Sequence, residues 1–185
     1  KAARIIEDCG LFGVDLNFGC SVAAICKQQC GAALLKTPDR AARIVEAVRK
    51  AVSLPLFVKF RTGWTDDSAI PVDLARRFTA AGADALTFHP RVAPDRRSRP
   101  PRWDYIRQVK EAVAVPVFGN GDVFDGADCL RMLETTGCDG VAIGRMAVAR
   151  PWLMAQISGR YSPGPGVFRQ AALRLLNLLE CHFYA

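Results

Sequence analysis

The sequence predicts an α/β protein forming part of a (β/α)8 TIM barrel, and three observations carry the prediction. First, five short apolar runs, Val14 to Leu16, Leu56 to Phe60, Ala85 to Phe88, Val115 to Phe118 and Val141 to Ile143, are each continuous and each followed by a helical pattern. Strands of a parallel sheet buried on both faces read in that way. Second, the runs end on polar motifs: Asn17-Phe18-Gly19-Cys20, Lys59-Phe60-Arg61, His89-Pro90-Arg91, Asn120-Gly121-Asp122 and Gly144-Arg145. Loops leaving the C-terminal strand ends of a barrel open on one face, so these motifs converge into one pocket. Third, five units occupy most of the 185 residues, whereas a closed barrel needs eight strands and about 250 residues.

Which units are present follows from the glycines. Phosphate sites in such barrels commonly form from the loops after the last two strands, and Gly119 to Asp122 and Gly144-Arg145 are the glycine-containing candidates. Placing them after strands seven and eight makes this chain strands 4 to 8, with strands one to three absent. The start at Lys1, without Met and already inside a helix, agrees with a fragment cut upstream.

Each element has a local reason. Lys1 to Gly10 reads as a helix with Ile5 and Ile6 inward and Gly10 as its left-handed cap. A second helix fits Pro38 to Val52, where Ala42, Val45, Ala47, Val48 and Val52 recur at helical spacing and Pro38 suits the first turn. Ser53-Leu54-Pro55 ends it. Ile70 to Ala81, with Leu74, Phe78 and Ala81 inward and Gly82 as its stop, is a third helix; Trp103 to Ala114 and Asp125 to Thr136 are the fourth and fifth. The barrel portion spans residues 1–157. Residues 158–166, rich in glycine, proline and serine, read as a linker. Beyond it Phe168, Ala172, Leu175, Leu176 and Leu179 mark an amphipathic helix over 167–185, the start of a truncated second domain.

Composition excludes several classes. Half the residues are hydrophobic and mean hydropathy is +0.10, enough for a sizeable core. No apolar run approaches the ~20 residues of a membrane span, and Lys1 to Gly10 lacks a signal-peptide core; a soluble, cytoplasmic protein with no membrane partner is expected. Seven cysteines without a C-x-x-C pair argue for reduced thiols, and Cys26 and Cys30, four apart, have no further ligands to complete a metal site. The formal charge of +7 and pI near 9.3 favour an anionic partner such as nucleic acid.

Position selects the chemical candidates. Cys20 sits at a strand's C-terminal end, where a thiol could serve as nucleophile, proton donor or core group. Asn17 could point an amide into the same cavity or cap the strand end. Lys59 ends an apolar strand and needs an anion or acceptor, from a ligand or from a neighbouring carboxylate. His89 ends the next run at the same level as Lys59 and Asn120. Gly119-Asn120-Gly121-Asp122 lets backbone approach a ligand, and Gly144-Arg145 adds a fork-shaped cation suited to phosphate. Arg91, Arg96, Arg97, Arg99 and Arg102 crowd one proline-stiffened loop, either as a cationic rim for a polyanion or as a solvated surface.

Together these residues resemble the tRNA-dihydrouridine synthases, flavin-dependent enzymes that reduce uridines of tRNA. The resemblance runs from about Val14 to Leu153 through Asp15-Leu16-Asn17-Phe18-Gly19-Cys20, Gly31 to Leu35, Val58 to Trp64, Ala83 to His89, Gly119 to Val123 and Asp139 to Arg145, in the family's order. It implies an FMN-binding barrel joined to a helical tRNA-binding domain, with NADPH as reductant. By motif, Cys20 would be the general acid that protonates C5 of uracil while hydride reaches C6 from reduced FMN. Asn17 would orient the base, with Arg61 and Arg91 on the substrate side. Lys59 and His89 would contact the flavin ring and ribityl region, Asn120, Gly121, Gly144 and Arg145 would hold its phosphate, and Asp122 would belong to the same cofactor-binding set. Base extrusion from the tRNA is implied as well. Ser21 stands where the family has proline, and Pro90 and Val92 alter its usual His-Gly-Arg-Thr run. Two other readings are another FMN barrel acting on a small molecule, and a non-catalytic fragment that binds RNA through a basic face.

Overall fold

A computed structural model describes residues 1–95 and 98–183. Five strands, β1 (Val14–Asn17), β2 (Leu56–Gly63), β3 (Ala85–Val92), β4 (Val117–Asn120) and β5 (Gly140–Ala142), form one parallel sheet in chain order. Between them run the helices α1 (Ala2–Asp8), α2 (Ala23–Lys27), α3 (Pro38–Arg49), α4 (Ala69–Ala80), α5 (Trp103–Ala112) and α6 (Gly126–Thr136), with a 3-10 turn at Gly31–Lys36. This is the α/β architecture of a partial TIM barrel. After β5 come α7 (Arg145–Ala149), α8 (Leu153–Ile157) and α9 (Val167–Phe183). None of the described helices is long and apolar enough to cross a membrane.

The two-residue period of a strand divides the sheet into a dry face and a chemical face. On β2, Leu56, Val58 and Phe60 are fully buried and pack toward the helices, as Leu86 and Phe88 do on β3. Phe60 lies 4.9 Å from Phe88 and meets Phe78 of α4 edge-on at 5.4 Å, and Phe18 reaches Phe78 at 5.5 Å. Each such ring pair contributes about 0.5–1.5 kcal/mol beyond its area. The alternate residues, Lys59 and Arg61 on β2 and Thr87 and His89 on β3, turn to the other face. Register aligns Asn17 with Lys59, Lys59 with Thr87, and Arg61 with His89.

One tether recurs two units apart. Asp84, immediately before β3, accepts the N–H of Leu56 at the start of β2 (2.7 Å) and pairs with Arg49 of α3 (3.0 Å). Asp139, immediately before β5, accepts the N–H of Val117 at the start of β4 (2.8 Å) and pairs with Lys110 of α5 (2.7 Å). Each carboxylate satisfies the first donor of the preceding strand and binds the helix that leads into that strand.

Several expected details change. β2 and β3 run to Gly63 and Val92 rather than stopping at Phe60 and Phe88, so Arg61, His89 and Arg91 are strand residues. β4 begins at Val117, because Pro116 has no N–H for the ladder, and α5 correspondingly ends at Ala112. Ala3 and Ile6, not Ile5, face the core from α1; Ile5 is 55% exposed. Ala47, expected inward, is exposed, while α3 buries the expected Val45 together with Ala41. Gly10 does cap α1: its φ is +68°, and the N–H groups of Gly10 and Leu11 bond back to Glu7 and Ile6. The described residues between 158 and 166 contain neither helix nor strand, and α9 buries none of its side chains.

Candidate active site

The C-terminal ends of the strands surround a cavity of about 640 Å³, within the range of sites for a cofactor-sized ligand. Its walls include Arg61, His89, Arg91, Asn120, Gly121, Asp122, Gly144 and Arg145, so residues from β2, β3, β4 and the loop after β5 do meet. Ser21, Val22, Ala23 and Ala24 close one side, and Val123, Phe124 and Met146 supply apolar wall. Of these, only Ser21 and Val123 stand out in the sequence, each as part of a family motif, and neither has a place in the cavity wall there. The five-residue α2 is too short to show a period, and Phe124 offered only its position beside Asp122 and Val123.

Asn17, Cys20 and Lys59 lie next to this cavity rather than on its wall. Asn17 Oδ1 accepts the N–H of Gly19 (2.9 Å), and Arg61 Nε donates to the Gly19 carbonyl (2.7 Å). Those two bonds hold the loop that carries Cys20 against β2. The Cys20 carbonyl accepts the N–H of Ala32 (2.8 Å) and the thiol of Cys26 (3.6 Å), which ties α2 and the 3-10 turn to the same loop. Burial, joined by Arg61, holds Lys59 below its ordinary range, opposed by Asp15 and the Cys20 thiol. Burial likewise raises the Asp15 carboxyl, with Lys59 opposing. Among the described residues Lys59 has no carboxylate within salt-bridge distance, so its compensation is a field rather than a contact.

His89 is electrostatically distinctive. Burial first, then Arg61, Lys59, Arg91 and Arg145, pushes it down to about 3, so the ring is neutral at physiological pH. Arg91 Nη1 stands 3.2 Å from His89 Nε2. A guanidinium can only donate, so Nε2 accepts and Nδ1 carries the hydrogen.

Arg91, expected on the rim, is instead buried: Nε donates to the Arg99 carbonyl (2.6 Å) and Nη2 to Asp122 (2.6 Å). Arg102 is likewise paired, with Asp66 and Asp95, while Arg99 is exposed beside Asp95 at 3.7 Å. Arg96 and Arg97 lie outside the described residues. The loop is therefore partly a structural brace rather than wholly a rim.

The glycines also differ in role. A Cβ on Gly119 would lie 2.5 Å from Met132 Sδ, so this glycine admits α6 to the sheet rather than a ligand. Gly121 has φ +122°, and its Cβ would press on His89 and Pro101 at about 3.0–3.1 Å. Around Gly144 no atom lies within 4 Å of an added Cβ, leaving open space beside Arg145. Among the described residues Arg61 Nη1, which is buried, has no hydrogen-bond partner. An orphaned guanidinium nitrogen, two further arginines and a neutral imidazole around one hollow suit an anionic ligand with ring acceptors.

The family model for dihydrouridine synthase (Dus) matches residues 1–177. A Rickettsia prowazekii protein named "Probable tRNA-dihydrouridine synthase" is 36% identical over 190 residues, covering all of this chain and 57% of that protein. One of the same name from Mycobacterium tuberculosis is 41% identical over 194 residues, covering 98% of the chain and 50% of the relative. The chain thus spans about half the length of the curated relatives it matches. Among solved structures, phosphonopyruvate hydrolase in complex with oxalate and Mg++ superposes with TM-score 0.64 at 17% identity, over 91% of this chain and 65% of that one. Morphinone reductase in complex with tetrahydroNAD gives 0.62 at 20% identity, over 90% and 49%. At those identities the likeness concerns the fold.

Proposed function

This chain belongs to the dihydrouridine synthase family, and from that premise we propose that the protein reduces uridine in tRNA to 5,6-dihydrouridine with FMN as cofactor and NADPH as reductant. The observation that carries the reading is the cavity itself, where the cations Arg61, Arg91 and Arg145 surround a neutral His89 and Arg61 Nη1 is left without a partner among the described residues. These residues fit a flavin mononucleotide, which offers a phosphate dianion at one end and a ring rich in acceptors at the other. When bound and reduced, FMN supplies the hydride that adds to C6 of the uracil ring.

The chain's own residues do the rest. Asn120, Gly121, Gly144 and Arg145 form the phosphate end, with Arg145 half exposed and beside open space. Lys59 and His89 serve the ring and ribityl end; with Nε2 engaged by Arg91, His89 offers its Nδ1–H as a donor. Cys20 delivers a proton to C5. Asn17 orients the base from the end of β1, and Arg61 links the Cys20 loop to the cavity. The basic chain supplies the field for tRNA, whose phosphates bind through salt-sensitive contacts. α9, with Phe168, Leu175, Leu176 and Leu179 exposed, opens the helical tRNA-binding domain, and residues 158–166 link it to the barrel.

The test uses the full-length protein. It should purify yellow, release FMN on denaturation, oxidise NADPH and form dihydrouridine in unmodified tRNA. Protein that stays colourless in excess FMN and leaves tRNA unchanged refutes the assignment; reduction of a small enone but not of tRNA would move it to another flavin barrel.

A further inference from the structure

Asp122 lies on the cavity wall, yet its carboxylate is already engaged. One oxygen accepts from Arg91 Nη2 at 2.6 Å and the other from Arg145 Nη2 at 2.8 Å. A carboxylate facing a phosphate would repel it. The two arginines are unequal: the Arg91 side chain is 4% exposed and that of Arg145 is 50% exposed. Arg91 spends Nε on the Arg99 carbonyl and Nη1 on His89 Nε2 in addition to its bond to Asp122, whereas among the described residues Arg145 spends only Nη2. Asp122 also holds a left-handed backbone, φ +50°, rare for a residue other than glycine, directly after the left-handed Gly121. That turn is what carries its carboxylate back between the two guanidinium groups.

We infer that Asp122 is a positioning residue, a shared carboxylate that aims the free edge of Arg145 at the phosphate of the cofactor and anchors that aim to the buried Arg91. Arg91 is correspondingly a strut rather than a substrate contact, because it holds Asp122 and His89 in one geometry. The inference rests on the FMN reading above. It adds that selection of a phosphorylated flavin is set by a residue that does not touch the phosphate. A guanidinium pinned at one nitrogen loses less freedom when its remaining N–H groups form a forked contact with phosphate oxygens.

The test compares FMN with riboflavin, the same ring system without the phosphate, by quenching of flavin fluorescence on titration into full-length apoprotein. Unmutated protein should prefer FMN. Asp122→Asn should reduce that preference about tenfold, the worth of one charge-assisted hydrogen bond, while riboflavin affinity holds. A merely structural role would weaken both flavins alike and leave the preference intact, which would overturn the inference. Failure of unmutated protein to bind either flavin would instead refute the cofactor reading, and this inference with it. A second measurement needs no Asp122 variant. In unmutated apoprotein the guanidinium 15N signals of Arg145, assigned with Arg145→Lys, should show slowed rotation, and free rotation would overturn the pin.

Discussion

Mild acid tests the cavity's electrostatics through one side chain. His89 has a folded value of about 3 against 6.5 for the free side chain. Between those values the unfolded chain binds a proton that the folded protein refuses, so stability rises with pH. The stabilisation is complete above 6.5 and is lost as pH falls toward the folded value. At about pH 5.5, one unit below the unfolded value, the loss is about 1.4 kcal/mol, and at about pH 4.5 about 2.7 kcal/mol. Urea unfolding of apoprotein at about pH 7.5 and about pH 5.5 reads it directly, with His89→Gln as a partner that cannot titrate. The unmutated protein should lose about 1.4 kcal/mol more than the variant. Equal losses, or a His89 ring signal that titrates near the free value in NMR, would refute the reasoning. The chain has only two histidines, and the other, His182, is exposed on α9, so the two signals are readily assigned.

Four further outcomes follow from the same geometry. Asp84→Ala and Asp139→Ala each remove a charge-assisted bond to a strand's first N–H; at 53% and 39% side-chain exposure solvent screening reduces the cost to about 1–2 kcal/mol, read as a shifted urea midpoint at unchanged slope. Asp139 is held below its usual range by Lys110 and the Val117 N–H, so its stabilisation is lost as pH falls through that lowered value, and Asp139→Asn should blunt this acid sensitivity. Gly121→Ala combines a strained φ of +122° with pressure on His89 and should cost about 1–3 kcal/mol, with a displaced His89 ring signal; an unchanged melting curve would contradict it. Cys20→Ala should keep FMN binding and its reduction by NADPH but slow dihydrouridine formation about 100-fold or more. Equal turnover would remove the thiol from the chemistry.

Much of the fold is written locally. The continuous apolar runs of β1 to β5 call for a sheet covered on both sides; helices carrying residues such as Leu74 and Phe78 at helical spacing cover one face, while the other carries Lys59, Arg61, Thr87 and His89. Parallel order follows, because each strand is reached through a crossover helix. The polar residues at the strand ends were therefore legible as one neighbourhood before any coordinates, and Arg61, His89, Asn120, Gly121, Asp122 and Arg145 do share one cavity.

What the chain by itself could not reveal is which way each polar group spends its bonds. Arg91 and Arg145 are alike in sequence, both basic residues at strand ends, yet one is buried against Asp122 and His89 and the other faces open space. Gly119 and Gly121 are two residues apart, yet one makes room for Met132 and the other for His89 and Pro101. Those differences arise from side chains far apart along the chain that compete for the same few donors, acceptors and cubic ångströms. Local propensity is blind to such competition, and only packing in three dimensions decides it.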